Sequence, residues 1–374
     1  MSKTMGMFGL ILVALCAMTG MAAEPAKLLE ASGVKGGLVV HLGCGGPSTT
    51  STSSGQAGSG QVGSFTAALR VNDRYLVQGL DTDAKNVGKA REHIHSKGLY
   101  GPVSVDVFDG KGLPYSDNLV NLIVYDDQEV SGVSVQVSGR EIERVLAPGG
   151  VLMVKDERLA VPSSLTPRDA TLDGWRTAVK PWPKELGEWT HYLQGPGNNP
   201  VTPDTRVGPP SRLQWRCEPL WSRSHAFTTS FTAMVTAQGR IFYILDDAPI
   251  GIAQEAVPEQ WTLVSRDAFN GVLLWKQPLS PWGVAAWKNG ALRHSPKAGE
   301  ECLVAHKDRV MMTLGFQSEV SILDAATGRV LGVCEGSDGM AEMRCENDVL
   351  VVNKGGTSLM AFDARNAQPL WKVD

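Results

Sequence analysis

A charge surplus of either sign is missing from this sequence: 35 basic side chains stand against 39 acidic ones, a net charge of -4. That balance points away from nucleic-acid partners and from anionic membrane surfaces, which call for a basic excess. Long apolar runs are missing as well. Met7 to Met18 is too short to span a bilayer comfortably, and no other stretch is long and apolar enough. Cysteine is sparse and unpatterned. Of six, Cys16 lies in the N-terminal apolar run, and Cys44, Cys217, Cys302, Cys334 and Cys345 form an odd set without CxxC spacing or nearby histidine clusters. Such a set argues against a zinc site and against a disulfide scaffold. Cys334 and Cys345 either pair across neighbouring strands or serve as small buried hydrophobes.

What is present divides the chain. Its 374 residues suffice for two or three domains. Gly 41 and Pro 21 favour a β-rich, turn-rich part, and most of the ten tryptophans fall after Trp175. At the N-terminus, Lys3 precedes the apolar run and Gly20-Met21-Ala22-Ala23 supplies small residues before Glu24-Pro25. This is the order of a signal peptide, with a buried N-terminal helix as the alternative; Glu24-Pro25 favours the former. Residues 1–23 are thus expected to be removed, leaving an exported chain, periplasmic or otherwise extracytoplasmic, with no membrane span. Leu15 is too large for a good lipobox before Cys16.

From Gly37 to about Lys155 strands and helices alternate. Leu38–Leu42, Tyr75–Leu80, Val103–Val107, Leu119–Tyr125 and Val151–Val154 read as strands, the first and fourth apolar enough to be covered on both faces. Phe65–Arg70, Ala84–Lys97 and a helix ending in Glu141–Leu146 lie between them, with a turn at Pro148-Gly149-Gly150. This alternation predicts right-handed crossovers and a parallel sheet, with any ligand at the carboxyl ends of the strands. Gly43, Gly45, Asp81, Asp109, Asp126 and Asp127 fall at those ends. The alternative for the acids is ordinary helix capping. His41 alternates within a strand and His93 and His95 fall on the outer face of a helix, so surface or packing roles are expected for all three.

The segments HLGCG, GLDTD, DVFDGKGLPYSDNLVNLIVYDD and RVLAPGGVLMV resemble, in order and spacing, the motifs of class I S-adenosylmethionine-dependent methyltransferases over roughly residues 36–156. The resemblance implies a Rossmann-like, doubly wound domain at 27–160 with S-adenosylmethionine as cofactor. It implies that Gly43, Gly45 and Gly63 form the glycine-rich loop, that Asp81 holds the ribose and that Asp109 lies at the adenine side. Tyr125 and Asp126 would stand beside the transferred methyl group. The departure is residues 46–62, seventeen mostly Ser, Thr, Gly and Gln where the family has about one. That tract either bulges with its ends closed, since closure entropy grows slowly with length, or removes cofactor-binding N–H groups. No family-type catalytic base, metal-ligand set or nucleophile is evident.

Residues 161–210 are expected as an ordered linker. Within them EWTHYLQGPGNN (188–199), followed by Leu213-Gln214-Trp215, resembles the lead-in to quinoprotein-type β-propellers. SRDAFNGVLLWK (265–276), ILDAATGRVLGV (322–333) and AFDARNAQPLWK (361–372) resemble the tryptophan-docking repeat of PQQ-like propellers, with Gly332 replacing the tryptophan in the middle copy and Ala367 the glycine in the last. The resemblance implies a partial, all-β propeller at 211–374 with Trp275 and Trp371 as packing residues. No PQQ or metal site is identifiable there, and a protein partner is the expected ligand. Two functions follow: a methyltransferase whose propeller recruits substrate, its acceptor unknown, or a non-enzymatic exported scaffold.

Overall fold

A computed structural model describes residues 24–45, 61–126, 136–155, 159–169, 172–211, 213–221, 223, 230–250, 257–280, 282, 301–356 and 358–374. Residues 1–23, expected as a signal peptide, most of the 46–62 tract and Asp127 lie outside these. Among the described residues no helix is long and apolar enough to cross a membrane. The chain forms two compact units, Met1–Trp182 and Pro183–Asp374.

The first unit begins with a helix covering 24–32 (α1). It continues β1 (Gly37–Leu42), α2 (Ser64–Ala68), β2 (Tyr75–Asp81), α3 (Ala84–Ser96), β3 (Val103–Val107), β4 (Val120–Tyr125), α4 (Gly139–Val145) and β5 (Leu146–Val154). β1 to β4 are parallel in the order β3-β2-β1-β4, and β5 pairs parallel to β4. The apolar run of β1 is buried at every position because both faces are covered. Val39 packs with Ala67, Val87, Ala90 and Ile94 of α2 and α3. Leu38, Val40 and Leu42, on the opposite face, pack with Ile142 and Val145 of α4. Alternation of side chains along the strand thus sets helices on both sides, the doubly wound arrangement.

Three expectations need correction. The Pro148-Gly149-Gly150 turn lies inside β5, absorbed as a register shift opposite β4 between Val120 and Leu122. The first part of the expected linker supplies β6 (Thr166–Arg168) and β7 (Arg176–Val179), which extend the sheet to β3-β2-β1-β4-β5-β7-β6. β7 is antiparallel to both β5 and β6. These strands are too short to show a period in a Pro-rich stretch. His93 is buried on the inner face of α3, not outside; His95 is exposed and stacks on Tyr100 at 4.1 Å.

The second unit holds three four-stranded antiparallel sheets, each a meander in chain order: β8 (Phe231–Ala237) to β11 (Leu273–Pro278), β12 (Leu303–His306) to β15 (Val330–Val333), and β16 (Glu342–Glu346) to β19 (Pro369–Val373). β12 packs beside both β8 and β16, and one apolar core runs through all three sheets. Asp267 and Asp324 each close the third-to-fourth strand turn by accepting two backbone N–H bonds. The indole N–H of Trp275 reaches from the first sheet to the carbonyl of Ala325 in the second, at 3.0 Å, and its ring covers Gly328. Trp215 repeats this on Ala268 at 2.9 Å, covering Gly271. Gly332 takes the same place against the third sheet with no ring at all: a Cβ there would stand 2.8 Å from Ala367 Cβ.

The EWTHY segment lies across the three adjoining strands β8, β12 and β16. Trp189 O accepts from Thr236 N of β8 (2.6 Å), Thr190 O from Ala305 N of β12 (3.0 Å), and His191 Nε2 from Cys345 N of β16 (3.0 Å). All cysteines in the described residues are free thiols. Burial pushes Cys302, Cys334 and Cys345 up to about 12, so they behave as small hydrophobes.

Candidate functional site

The order β3-β2-β1-β4-β5 reverses direction between β1 and β4, and open α/β sheets bind ligands outside the carboxyl ends of the strands at that switch. The chain leaves β1 through Gly43-Cys44-Gly45, and Gly43 N–H donates back to Leu80 O of β2 at 2.8 Å. Gly45 N–H donates to Asp81 Oδ2 at 2.8 Å. A Cβ at Gly45 would overlap the Asp81 carboxylate and the Asn86 side chain, so only glycine lets the turn lie this close. Gly63, with φ 82, rests on α3 one turn further along, where a Cβ would be 2.8 Å from Ala90 Cα. The two ends of the polar tract therefore stand against Asn86 and Ala90, about 6 Å apart along the helix.

Asp81 is buried. Its Oδ1 accepts from Asp83 N at 2.8 Å, and the cap of α3 is Asp83, which accepts from Lys85 N. Capping thus falls to Asp83 and leaves Asp81 facing the glycine turn. Asp109 is exposed in the loop after β3, and its Oδ1 accepts from Lys111 N and Gly112 N, both at 2.8 Å. Those bonds hold its carboxyl below the usual range. Its neighbour Phe108 donates to Asp81 O at 3.0 Å, so the two acids come from adjoining strand ends.

Asp126 follows β4. Its Oδ1 lies 3.1 Å from Nε2 of His41, and His41 Nδ1 lies 2.8 Å from Thr66 Oγ1. The three are 7%, 3% and 0% exposed. His41, expected in a surface or packing role, instead bridges β4 and α2 across the switch point. Its period-2 place in β1 with an apolar pattern on both sides gave no hint, because the partner Asp126 is 85 residues away. Cys44 sits between these acids: burial, Asp81 and Asp126 all raise its thiol above the usual range, against a nucleophilic role. Asn86 was not anticipated either. Its Nδ2 is buried beside Gly45 and Asp81 with no hydrogen-bond partner among the described residues. Among the described residues, no group of three or more His, Cys, Asp or Glu stands so as to hold a metal ion.

A glycine turn, a buried acid at the end of β2 and a buried acid after β4 thus gather at the carboxyl ends of the strands around Cys44, with Asp109 in the next loop. Residues 56–154 match the methyltransferase-domain family. That match covers the sheet from α2 to β5 and leaves β1 and its turn outside it. No curated protein matches the chain. Among solved structures, it is similar to a putative S-adenosyl-L-methionine-dependent methyltransferase from Methanococcus maripaludis, with 20% identity over 37% of this chain and 55% of that one and a TM-score of 0.29. The chain thus spans little more than half the length of that protein. It is also similar to a SAM-dependent methyltransferase from Aquifex aeolicus, with 20% identity over 43% and 91% of the two chains and a TM-score of 0.32. A geranyl diphosphate methyltransferase in complex with SAM is 14% identical over 42% and 85%, with a TM-score of 0.30. Likeness at this level carries no argument about acceptor or mechanism.

Proposed function

We propose that the first unit is a methyltransferase domain that binds S-adenosylmethionine at the β1/β4 switch point, and that the second is a partial β-propeller that recruits a substrate or protein partner. The observation that carries the first part is the convergence of the Gly43–Gly45 turn, Asp81 and Asp126 at the carboxyl ends of the strands within a chain whose residues 56–154 match the methyltransferase-domain family. The residues fit such a ligand. Among the described residues, Asn86 Nδ2 is a buried donor without an acceptor, and nothing lies within 4 Å of a Cβ built on Gly43. Asp81 and Asn86 would hold the nucleoside end, and Asp126 would meet the positive sulfonium. The cofactor supplies an electrophilic methyl group; the chain's part is to align the acceptor with it and exclude water, which needs no metal or covalent nucleophile.

A second reading is favoured by one observation: both Asp81 oxygens already accept protein N–H groups, as in a domain closed on itself. In that reading the protein is an exported, non-catalytic scaffold. Calorimetry of the full chain with S-adenosylmethionine separates the two. The first expects saturable binding, weakened by about 1–3 kcal/mol in Asp81→Ala, the scale of a lost charged hydrogen bond. No heat at millimolar cofactor leaves the scaffold.

The propeller reading is supported by the three meanders, the adjacency of β8, β12 and β16, and the two indole-to-turn contacts. Export is proposed from residues 1–23. Cell fractionation tests it: a chain shortened to about Glu24 and found outside the cytoplasm is expected, and an uncleaved cytoplasmic chain would refute it.

A further inference from the structure

In the buried Thr66–His41–Asp126 chain, Asp126 Oδ1 lies 3.1 Å from Nε2 and Thr66 Oγ1 2.8 Å from Nδ1 of the His41 ring. Both ring nitrogens are then engaged, and His41 cannot itself take a proton from an acceptor without losing one of these bonds. Asp126 is different: its Oδ2 has no hydrogen bond among the described residues. The carboxylate is anchored at one oxygen by His41 of β1, itself tied to Thr66 of α2, at the carboxyl end of β4. The groups facing this pair are Cys44 from the turn, kept neutral by burial, Asp81 from β2, and the uncharged Thr66 and Phe65 from α2, whose ring lies 5.0 Å from the imidazole. No lysine or arginine is among them.

On the reading that this switch point takes S-adenosylmethionine, we propose that His41 is a positioning residue that holds Asp126 as a fixed anion, and that the pair makes the site prefer the sulfonium cofactor over its neutral thioether product, S-adenosylhomocysteine. The two ligands differ by one methyl group and one positive charge. A fixed carboxylate attracts only the charged one, and in a partly desolvated site that attraction is worth roughly tenfold in affinity. Because the charge disappears in the transfer, the pair assists cofactor capture and product release rather than the chemical step. An anchored carboxylate costs no reorganisation when the ligand arrives, whereas a freely rotating one would lose that advantage.

Calorimetry of the full chain with each ligand, near neutral pH, tests this by the ratio of the two dissociation constants. The native protein is expected to bind S-adenosylmethionine roughly tenfold more tightly than the thioether. Asp126→Asn should bring the ratio close to one by weakening only the sulfonium ligand. His41→Ala should reduce it in the same sense, while His41→Gln, whose amide N–H can reach Asp126, should restore it. A loss of packing alone would weaken both ligands alike and leave the ratio unmoved. Should His41→Ala not fold, the Asp126→Asn ratio carries the test. An unchanged ratio in Asp126→Asn, or a native ratio near one, overturns the inference while leaving cofactor binding intact; failure of the native chain to bind either ligand overturns both.

Discussion

His191 is neutral because it must be. Its Nε2 accepts the Cys345 N–H, so Nδ1 carries the proton and donates to Thr190 Oγ1 at 2.7 Å. Burial, then the nearby Arg344 and His306, lower it from 6.5 to about 4. Protonation would remove the acceptor and leave a buried N–H of β16 unpaired. The unfolded chain takes up its proton near pH 6.5 and the folded one only near 4, so stability present above 6.5 shrinks as the pH falls and is lost by about pH 4. The loss should amount to about 2–3 kcal/mol. His191→Gln, which keeps an acceptor but cannot titrate, should flatten the melting temperature of the second unit between pH 6.5 and 4; an unchanged slope would show that other groups set it. Nothing in EWTHY announced this role, since the partners lie in three strands far along the chain.

Among elements, the polar tract between β1 and α2 was the doubtful piece. Its described ends lie on α3 at Asn86 and Ala90, so the chain on either side of it is already closed without it. Deleting 46–60 joins Gly45 to Gly63 through Gln61-Val62, three peptide links that reach about 10 Å. The shortened chain is expected to melt no lower than the native one and to gain at most about 2 kcal/mol from the shorter closure. Thermal unfolding followed by circular dichroism checks this; a drop in stability would mean that 46–60 contributes to the fold. The neighbouring elements were legible for a definite reason. β1 is buried at every position and β4 at all but one, so both read as largely apolar runs, and Asp83 and Ser138 cap α3 and α4 by side-chain bonds to residues close in sequence. β6 and β7 were not legible, being three and four residues long, with β7 held by pairing with β5 and β6 by pairing with β7 rather than by any local pattern.

At the scale of the second unit, the repeats specify how one sheet meets the next. Trp275 is 8% exposed beneath the second sheet's turn, whereas Trp371, in the same place on the last sheet, is 47% exposed. If the three sheets pack as blades, the two tryptophans differ only in having a following sheet. Trp275→Ala should then cost about 3–5 kcal/mol, as for a large buried aromatic, and Trp371→Ala no more than about 1 kcal/mol. Denaturant titration measures both, and equal losses would argue against the repeating arrangement.

Periodicity and turn chemistry, both local, were enough to place the β1–α2–β2 unit with Gly43, Gly45 and Asp81 at its strand ends, because each is dictated by covering a strand or closing a turn within a few residues. Long-range pairing decided the rest. His41 was an unremarkable strand residue until β4 brought Asp126 to it, Asp109 proved to be tied into its own turn, and His191 gained its meaning only where β16 passed beside it. A buried polar group is defined by what neutralises it, and for these residues that partner comes from another strand, which only the folded chain supplies.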